Sequence, residues 1–434
     1  MLPMLREAVF TEVERISRSG LLTGQQRDVL AFLVETAVSG SRVRLRQKDV
    51  AKALDIPSPG QVGVIVTNTR TRLYRFYESA PGGSALHIAL SDRGYDVIVS
   101  QFDAPATLSD EAQLAVADAK AALDQRTLPG AATAIGILDK VLVREPDNPV
   151  LMALKAHCYA TRALYGTHFR RDLEAAERIV ETLRTREPRT WESWFAEASV
   201  HMALHWDWPA AGAAFAKAIA LSGGTAARHP WHTAYLASQG RAAEAVALLR
   251  AAVAQSHDSP IVRADLAINQ IFAHQYEEAA VTIDTAFALF GDRTHYLLHV
   301  HRAILREATG DPAGALASVV GVPLRWPHTA VTIGLRALFA GLAGDRRTAR
   351  RHLTKLQAAR MLAKPYVPAG QLCIAALGAG DVDGAVEWLR LGAVVERDPN
   401  LVLTGVYPFF RHLQGHPGFD ALVRDTMRLP AARF

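Results

Sequence analysis

Three groups of side chains in this 434-residue sequence combine reactive chemistry with a suggestive spacing. His295 and His299 stand four residues apart with His301 close behind, and two imidazoles on one helical face can chelate zinc. No carboxylate or third ligand falls at helical spacing from both, so they are read as packing or solvated histidines, and no metal is expected. Asn68, Thr71, Arg72 and Arg75 share the polar face of a helix-patterned segment. Arginine on a guanine edge and asparagine on adenine are the pairings that read the major groove of double-stranded DNA. The upstream run Arg42, Arg44, Arg46 and Lys48 suits backbone phosphates, and Arg93 near the tip of a later turn suits a phosphate or the minor groove. A solvated face is the ordinary alternative for such charge. Trp191, Trp194, Trp206 and Trp208 cluster in sequence and are read as helix-to-helix packing, with the floor of a ligand pocket as the alternative. The strings G-x-x-x-x-G-K-[ST], G-x-G-x-x-G, H-E-x-x-H and G-x-S-x-G are absent. The two cysteines, Cys158 and Cys373, lie far apart in apolar stretches and read as packed thiols. Neither enzymatic activity nor a cofactor is expected.

The elements that would position the arginines lie in the first hundred residues. Residues 25–38 place Val29, Leu30, Leu33 and Ala37 on one helical face, and residues 45–56 turn Leu45, Val50, Ala53 and Leu54 inward. Ser58, Pro59 and Gln61 then supply a cap, a first-turn proline and a capping-box partner for a third helix. Along it Val62, Ile65, Val66, Thr69, Leu73 and Phe76 form a buried stripe, with Asn68, Thr71, Arg72 and Arg75 opposite. After Pro81, Gly82 and Gly83, two alternating segments flank the turn at 91–94, a β-hairpin pattern. Arg70, Arg72, Leu73, Phe76, Tyr77, Gly94 and Tyr95 make this stretch similar to the recognition helix and wing of bacterial transcription regulators with an OmpR/PhoB-type winged helix, in particular those that join it to tetratricopeptide repeats. Ser91 and Asp92 depart from the usual wing. The resemblance implies a DNA-binding domain whose third helix enters the major groove.

From residue 130 onward the chain repeats. Candidate turn positions at Arg170, Trp206, Gly240, His274, Gly310, Gly344 and Gly380 are separated by 34 or 36 residues. Five residues after each stands an alanine, from Ala175 to Ala385, and nine after each an apolar residue, from Ile179 to Leu389. Seven before each the residue is small. The pattern predicts helical hairpins of about 34 residues whose backbones approach closely at the small positions. An earlier unit at Ala134, Leu138 and Val141 brings the total to about eight, and such hairpins must stack into a solenoid to bury their faces. The pattern resembles the tetratricopeptide repeat, in whose members the first helix of each hairpin lines a concave surface. Carried over, that surface includes Leu164, Val200, Ile268, Ile271, Ile304, Leu338, Ile374 and Leu377, an apolar groove filled either by a protein partner or by the superhelix's own side chains.

The fold expected is mainly α: a winged helix-turn-helix at 1–102, a linker at 103–110, an α-solenoid of tetratricopeptide-like hairpins at 111–400, and a capping segment at 401–434. With 50% hydrophobic and 21% charged residues the chain can bury a large core, which excludes a disordered polymer. No uncharged apolar run long enough to span a membrane occurs, and Arg6 and Glu7 interrupt any leader-like start, so a cytoplasmic protein is expected. Net charge is +5, and residues 1–102 hold 13 Lys and Arg against 10 Asp and Glu. The expected function is a DNA-binding transcription regulator, as a homodimer on paired half-sites, whose repeats mediate self-association or partner binding. The alternative is a protein-interaction scaffold whose winged helix is an interaction module that never meets DNA, a reading that the weak charge and Asp92 favour.

Overall fold

A computed structural model describes residues 3–39, 45–79, 86–91, 95–101, 108–165, 169–186, 189–255, 259–320, 322, 329–362, 367–432 and 434. Arg42, Arg44, Asp92, Arg93, Gly94 and Thr167 lie outside the described residues, as do residues 103–107 of the expected linker and the side chains of Arg75 and Tyr77.

Among the described residues the N-terminal part comprises helices α1 (Pro3–Arg18), α2 (Gly24–Val38), α3 (Gln47–Ala53) and α4 (Pro59–Ser79), then strands β1 (Leu86–Leu90) and β2 (Val97–Gln101). The strands are antiparallel, with Leu86 opposite Gln101 and Leu90 opposite Val97. Helix α2 starts at a capping box in which Gln26 Oε1 accepts from the Thr23 amide at 2.9 Å. Helix α4 starts where Ser58 Oγ accepts from the Gln61 amide at 3.4 Å. Val29, Leu30, Leu33, Val50, Val62, Val66, Leu73 and Phe76 meet Leu86, Ile88 and Leu90 in one core. Val38 and Ala51 are the inward residues there, whereas Ala37 and Ala53 are exposed. Helix α1 has no counterpart in the expected order. Its Val9, Val13 and Ile16 recur at spacings of four and three and seal the same core.

Eight helical hairpins follow among the described residues: α5 (Asp110–Leu123) with α6 (Leu128–Leu142), α7 (Pro149–Tyr165) with α8 (Phe169–Arg184), α9 (Trp191–Val200) with α10 (Trp208–Leu221), α11 (Pro230–Ser238) with α12 (Ala242–Gln255), α13 (Pro260–Phe272) with α14 (Tyr276–Phe290), α15 (Tyr296–Ala308) with α16 (Pro312–Val320), α17 (Thr329–Leu342) with α18 (Arg346–Leu362), and α19 (Ala369–Ala379) with α20 (Val382–Leu391). Within them Trp206, Gly240, His274, Gly310, Gly344 and Gly380 share a positive φ, between 51° and 97°. A left-handed residue reverses the chain in the least space, and glycine adopts it without a Cβ clash. Trp206 and His274 hold it at a cost of about 1 kcal/mol each. Ala211, Ala245, Ala279, Ala315, Ala349 and Ala385 are fully buried. In α8 the register moves by one: Ala176 and Val180 are the buried pair, while Ala175 and Ile179 are half-buried.

The solenoid closes on itself. In the α5–α6 turn, Arg126 Nη2 reaches Asp265 of α13 at 3.3 Å, and its carbonyl accepts from the Tyr296 hydroxyl of α15 at 2.9 Å. Residues 399–434, which include α21 (Pro417–Ala421), then run through the interior of the superhelix. Asn400 Nδ2 donates to the Leu164 carbonyl at 3.2 Å, Tyr407 stacks edge-on against Phe272 at 5.2 Å, and the Met427 carbonyl accepts from Trp208 Nε1 at 2.8 Å. This corrects the expectation of a terminal cap: Phe409, Phe410, Leu413, Phe419, Leu422 and Val423 are buried, but the C-terminal segment reaches from α20 to helices of the second, third, fourth and sixth hairpins.

Candidate functional site

The expected DNA-reading face lies on α4, and its residues have divergent fates. Asn68 is exposed, and Thr71 is half-buried, its hydroxyl bonded to the Thr67 carbonyl at 3.2 Å. Arg72 folds back within its own domain, and its Nη1 donates to the Leu21 carbonyl at 2.6 Å in the turn between α1 and α2. That bond occupies one of its guanidinium nitrogens. Arg46 caps α3: its amide donates to Asp49 Oδ2 at 2.9 Å and its Nε lies 3.3 Å from the same oxygen, while Lys48 is exposed. Neighbouring Arg70 is 4% exposed, donates to the Ser91 carbonyl at 2.7 Å, and lies 3.6 Å from Glu244 of α12. The hairpin follows the same direction. Ala89 and Ile98 sit on the face of the pleat opposite the N-terminal core, and both strands pack along α10.

The expected groove is likewise occupied. Val200, Ile268, Ile271, Ile304, Leu338, Ile374 and Leu377 are all buried, and Leu164 is half-buried. Around α7, α11 and α15 the occupant is the chain's own C-terminal segment from residue 399, an option distinct from both a foreign partner and the wall side chains of the superhelix. One polar cluster fixes it. Glu307, 1% exposed, points its carboxylate at Arg411 Nη2, 2.7 Å away, and His412 Nε2, 3.3 Å away, and Arg411 also donates to the Glu307 carbonyl at 3.0 Å.

A cleft of about 330 Å³ opens in the concave wall between α5, α7, α9 and the start of α11. Its walls are Trp191, Phe195, Trp231, His157 and His229, lined further by Val116 and Leu154. The rings meet edge to face: His157 lies 4.7 Å from His229 and 5.7 Å from Phe195, and Phe195 lies 4.4 Å from His229. Burial, aided by the charges of Arg126 and Lys120, pushes the His157 imidazole down to about 3. Burial, then the neighbouring His157, holds His229 well below the usual range, so both rings are neutral at physiological pH. His157 Nε2 faces the Thr161 hydroxyl at 3.4 Å, and its Nδ1 has no hydrogen-bond partner among the described residues. At the rim, exposed Lys120 stands with Asp124 and Glu192, whose carboxyls burial raises above the ordinary range.

The three histidines of the sequence pattern serve separate ends. His295 caps α15, accepting from the Leu297 amide at 3.3 Å, while His299 packs edge-on against Phe287 at 4.7 Å. His301 is buried, its imidazole pushed down to about 3 by desolvation. The four tryptophans divide too. Trp206 and Trp208 are core, Trp194 is held between Arg189 at 3.5 Å and Lys217 at 3.8 Å, and Trp191 lines the cleft. His157, Phe195, His229 and Trp231 were not singled out by spacing, because they stand in the first half of first helices or, for His229, in a cap, one or more turns before the positions carried over from the repeat.

Comparisons with known proteins accord with this geometry at the level of the repeat. Residues 236–299, from the end of α11 into α15, match the tetratricopeptide repeat family. No curated protein matches the chain. Among solved structures, the chain is similar to the anaphase-promoting-complex heterotetramer Cut9-Hcn1, at 12% identity and a TM-score of 0.46, over 83% of this chain and 66% of that one. It is also similar to yeast Tom70, at 10% identity and a TM-score of 0.39, over 92% and 85% of the two chains. A third, the tetratricopeptide domain of P58(IPK), gives 13% identity and a TM-score of 0.19 over 71% and 100%. Residues 236–299 thus carry a tetratricopeptide-type repeat within a mainly α solenoid. No described helix is long and apolar enough to cross a membrane.

Proposed function

We propose that this protein is a protein-interaction scaffold in which the N-terminal domain, similar in element order to a winged helix, is an interaction module docked on its own repeats. One observation carries the reading: the strands that a DNA-bound winged helix would project as a wing lie along α10, and Arg70 of α4 faces Glu244 of α12. The supporting detail is that Arg72, the best-placed base reader, is engaged by the Leu21 carbonyl. The partner is a polypeptide segment, and it enters the aromatic cleft between α5, α7, α9 and α11 with an apolar or aromatic side chain leading.

Selection of a displayed peptide library on the full chain tests this. Wild type is expected to enrich segments with an aromatic or large aliphatic anchor, and Val116→Arg, which puts a long charged side chain into the cleft, is expected to release them. If the same peptides bind both proteins equally, the cleft is not the site. Duplex DNA titrated at low salt provides the second arm. Affinity that falls steeply with salt and is lost in Asn68→Glu would restore the DNA-binding reading in place of the scaffold.

A further inference from the structure

Helix α18 differs in charge from the other second helices. It holds Arg346, Arg347, Arg350, Arg351, Lys355 and Arg360 and no acidic residue, more positive charge than the net +5 of the whole chain. Arg360 turns inward to Glu396 at 2.6 Å. The other five are exposed and make no ion pair among the described residues. An ordinary solvated helix intersperses the two signs, as α8 does where Arg170 meets Glu174 at 3.1 Å. Around α18 no carboxylate forms an ion pair with the outward cations among the described residues: Asp345 precedes the helix, accepts from the Thr348 amide at 2.9 Å and feels the charges of Arg351 and Arg347, while Asp383 and Glu387 belong to α20.

The helical period fixes which way these cations face. Ala349, Leu353 and Leu356 are buried against the solenoid, so Arg347, Arg350, Arg351 and Lys355 occupy the outward side. The last turn continues that side with Met361 and Leu362, 88% and 73% exposed. The outward face is therefore cationic from Arg347 to Lys355, a rise of about 12 Å, and then ends in two bare apolar side chains.

We propose that this face of α18 is a peripheral docking site for an anionic lipid surface. Headgroup phosphates and carboxylates answer the guanidiniums, and Met361 and Leu362 enter the boundary between headgroups and acyl chains. A nucleic acid answers the charge equally well but leaves the methionine and leucine in water, so the apolar end of the helix decides for lipid.

Cosedimentation of the full chain with vesicles tests the assignment. Phosphatidylcholine vesicles containing phosphatidylserine are expected to bind it in a salt-dependent manner, and pure phosphatidylcholine vesicles are not. Arg347→Gln with Arg351→Gln should weaken binding about 30-fold, since each basic residue near the surface contributes roughly fivefold. Met361→Ser with Leu362→Ser should weaken it about tenfold while preserving the salt dependence. All four positions are exposed, so both variants should melt as wild type does. Equal binding to the two vesicle types, no vesicle binding at low salt, or binding only to a random-sequence DNA duplex would each overturn the proposal.

Discussion

Replacing Arg411 by methionine tests whether the C-terminal segment is held in the superhelix as described. Glu307 is 1% exposed, and its carboxylate relies on Arg411 at 2.7 Å and His412 at 3.3 Å. Removing one partner of a buried pair costs about 3–5 kcal/mol, because the surviving charge stays desolvated. The Arg411 side chain is 35% exposed, which lets water screen its side of the pair, and His412 remains as a second donor. Both facts place the loss near the lower bound, at about 3 kcal/mol. The lost bond to the Glu307 carbonyl lies within that figure. The assay is urea denaturation together with amide hydrogen exchange across residues 399–432. Arg411→Met should lower the unfolding midpoint and speed exchange first in the segment around Phe409 and Phe410. Adding Glu307→Gln removes the stranded charge and should recover about 2 kcal/mol of the loss. A single variant that loses less than about 1 kcal/mol, or a double variant no more stable than the single, would refute the view that this cluster fixes the segment.

Three further outcomes follow from the packing. A Cβ on Gly341 would lie 1.7 Å from the Gly378 carbonyl oxygen, a backbone atom that cannot rotate away, so Gly341→Ala should cost upward of about 3 kcal/mol in thermal unfolding, whereas Gly310→Ala, in open space at φ +86°, should cost only about 1. Arg72→Ala strands the Leu21 carbonyl and should destabilise by about 2 kcal/mol; a fully stable variant would mean that Arg72 is not structural. The third outcome concerns pH. His301 is held neutral with its imidazole pushed down to about 3, while the unfolded chain protonates near 6.5, so the unfolded state binds more protons and the stability His301 contributes is lost as pH falls from about 6.5 toward 3, by roughly 1.4 kcal/mol per unit. Asp265 and Asp398, raised to about 6 by burial, act in the opposite sense between about 4 and 6, because there the folded state binds the extra proton. Comparing wild type with His301→Gln cancels the carboxylates, and parallel pH profiles of the two would sink the assignment.

The repeat was legible because it is dictated locally. A left-handed turn and a close helix crossing each restrict one position in about 34, so Gly240, Gly310, Gly344 and Gly380 and the buried alanines write the hairpins into the sequence. The pattern failed where the constraint was shared. In α8 the buried pair is Ala176 and Val180, and the single-residue slip is invisible because Ala175 and Ile179 have the same character. Helix α1 carried a readable stripe in Val9, Val13 and Ile16, whereas the cleft could not be read. Its rings come from residues 157, 195, 229 and 231, on three consecutive hairpins, and the stacking of α7, α9 and α11 brings them within a few ångströms.

Closure also explains why the apolar groove residues expected from the repeat are covered, and neighbouring elements engage Arg70 and Arg72. An apolar first-helix stripe means only that something covers it, and binary pattern cannot distinguish a foreign helix from residues 399–434 of the same chain, whose Phe409, Phe410 and Phe419 look equally like a cap or an insert. An arginine on a helix's polar face is equally ambiguous. Arg70 and Arg72 differ by two residues, hence by about 200° around α4, yet both find protein acceptors, one toward Ser91 and Glu244 and the other toward Leu21. A guanidinium offers five donors and serves a backbone carbonyl as readily as a base edge, so its residue type sets what it can bond to and the tertiary neighbours set which bond it makes. The residues that stay available on this molecule are therefore those with no intramolecular acceptor within reach. On α4 Asn68 is such a residue at the exposed surface, and on α18 five cations of one helix are.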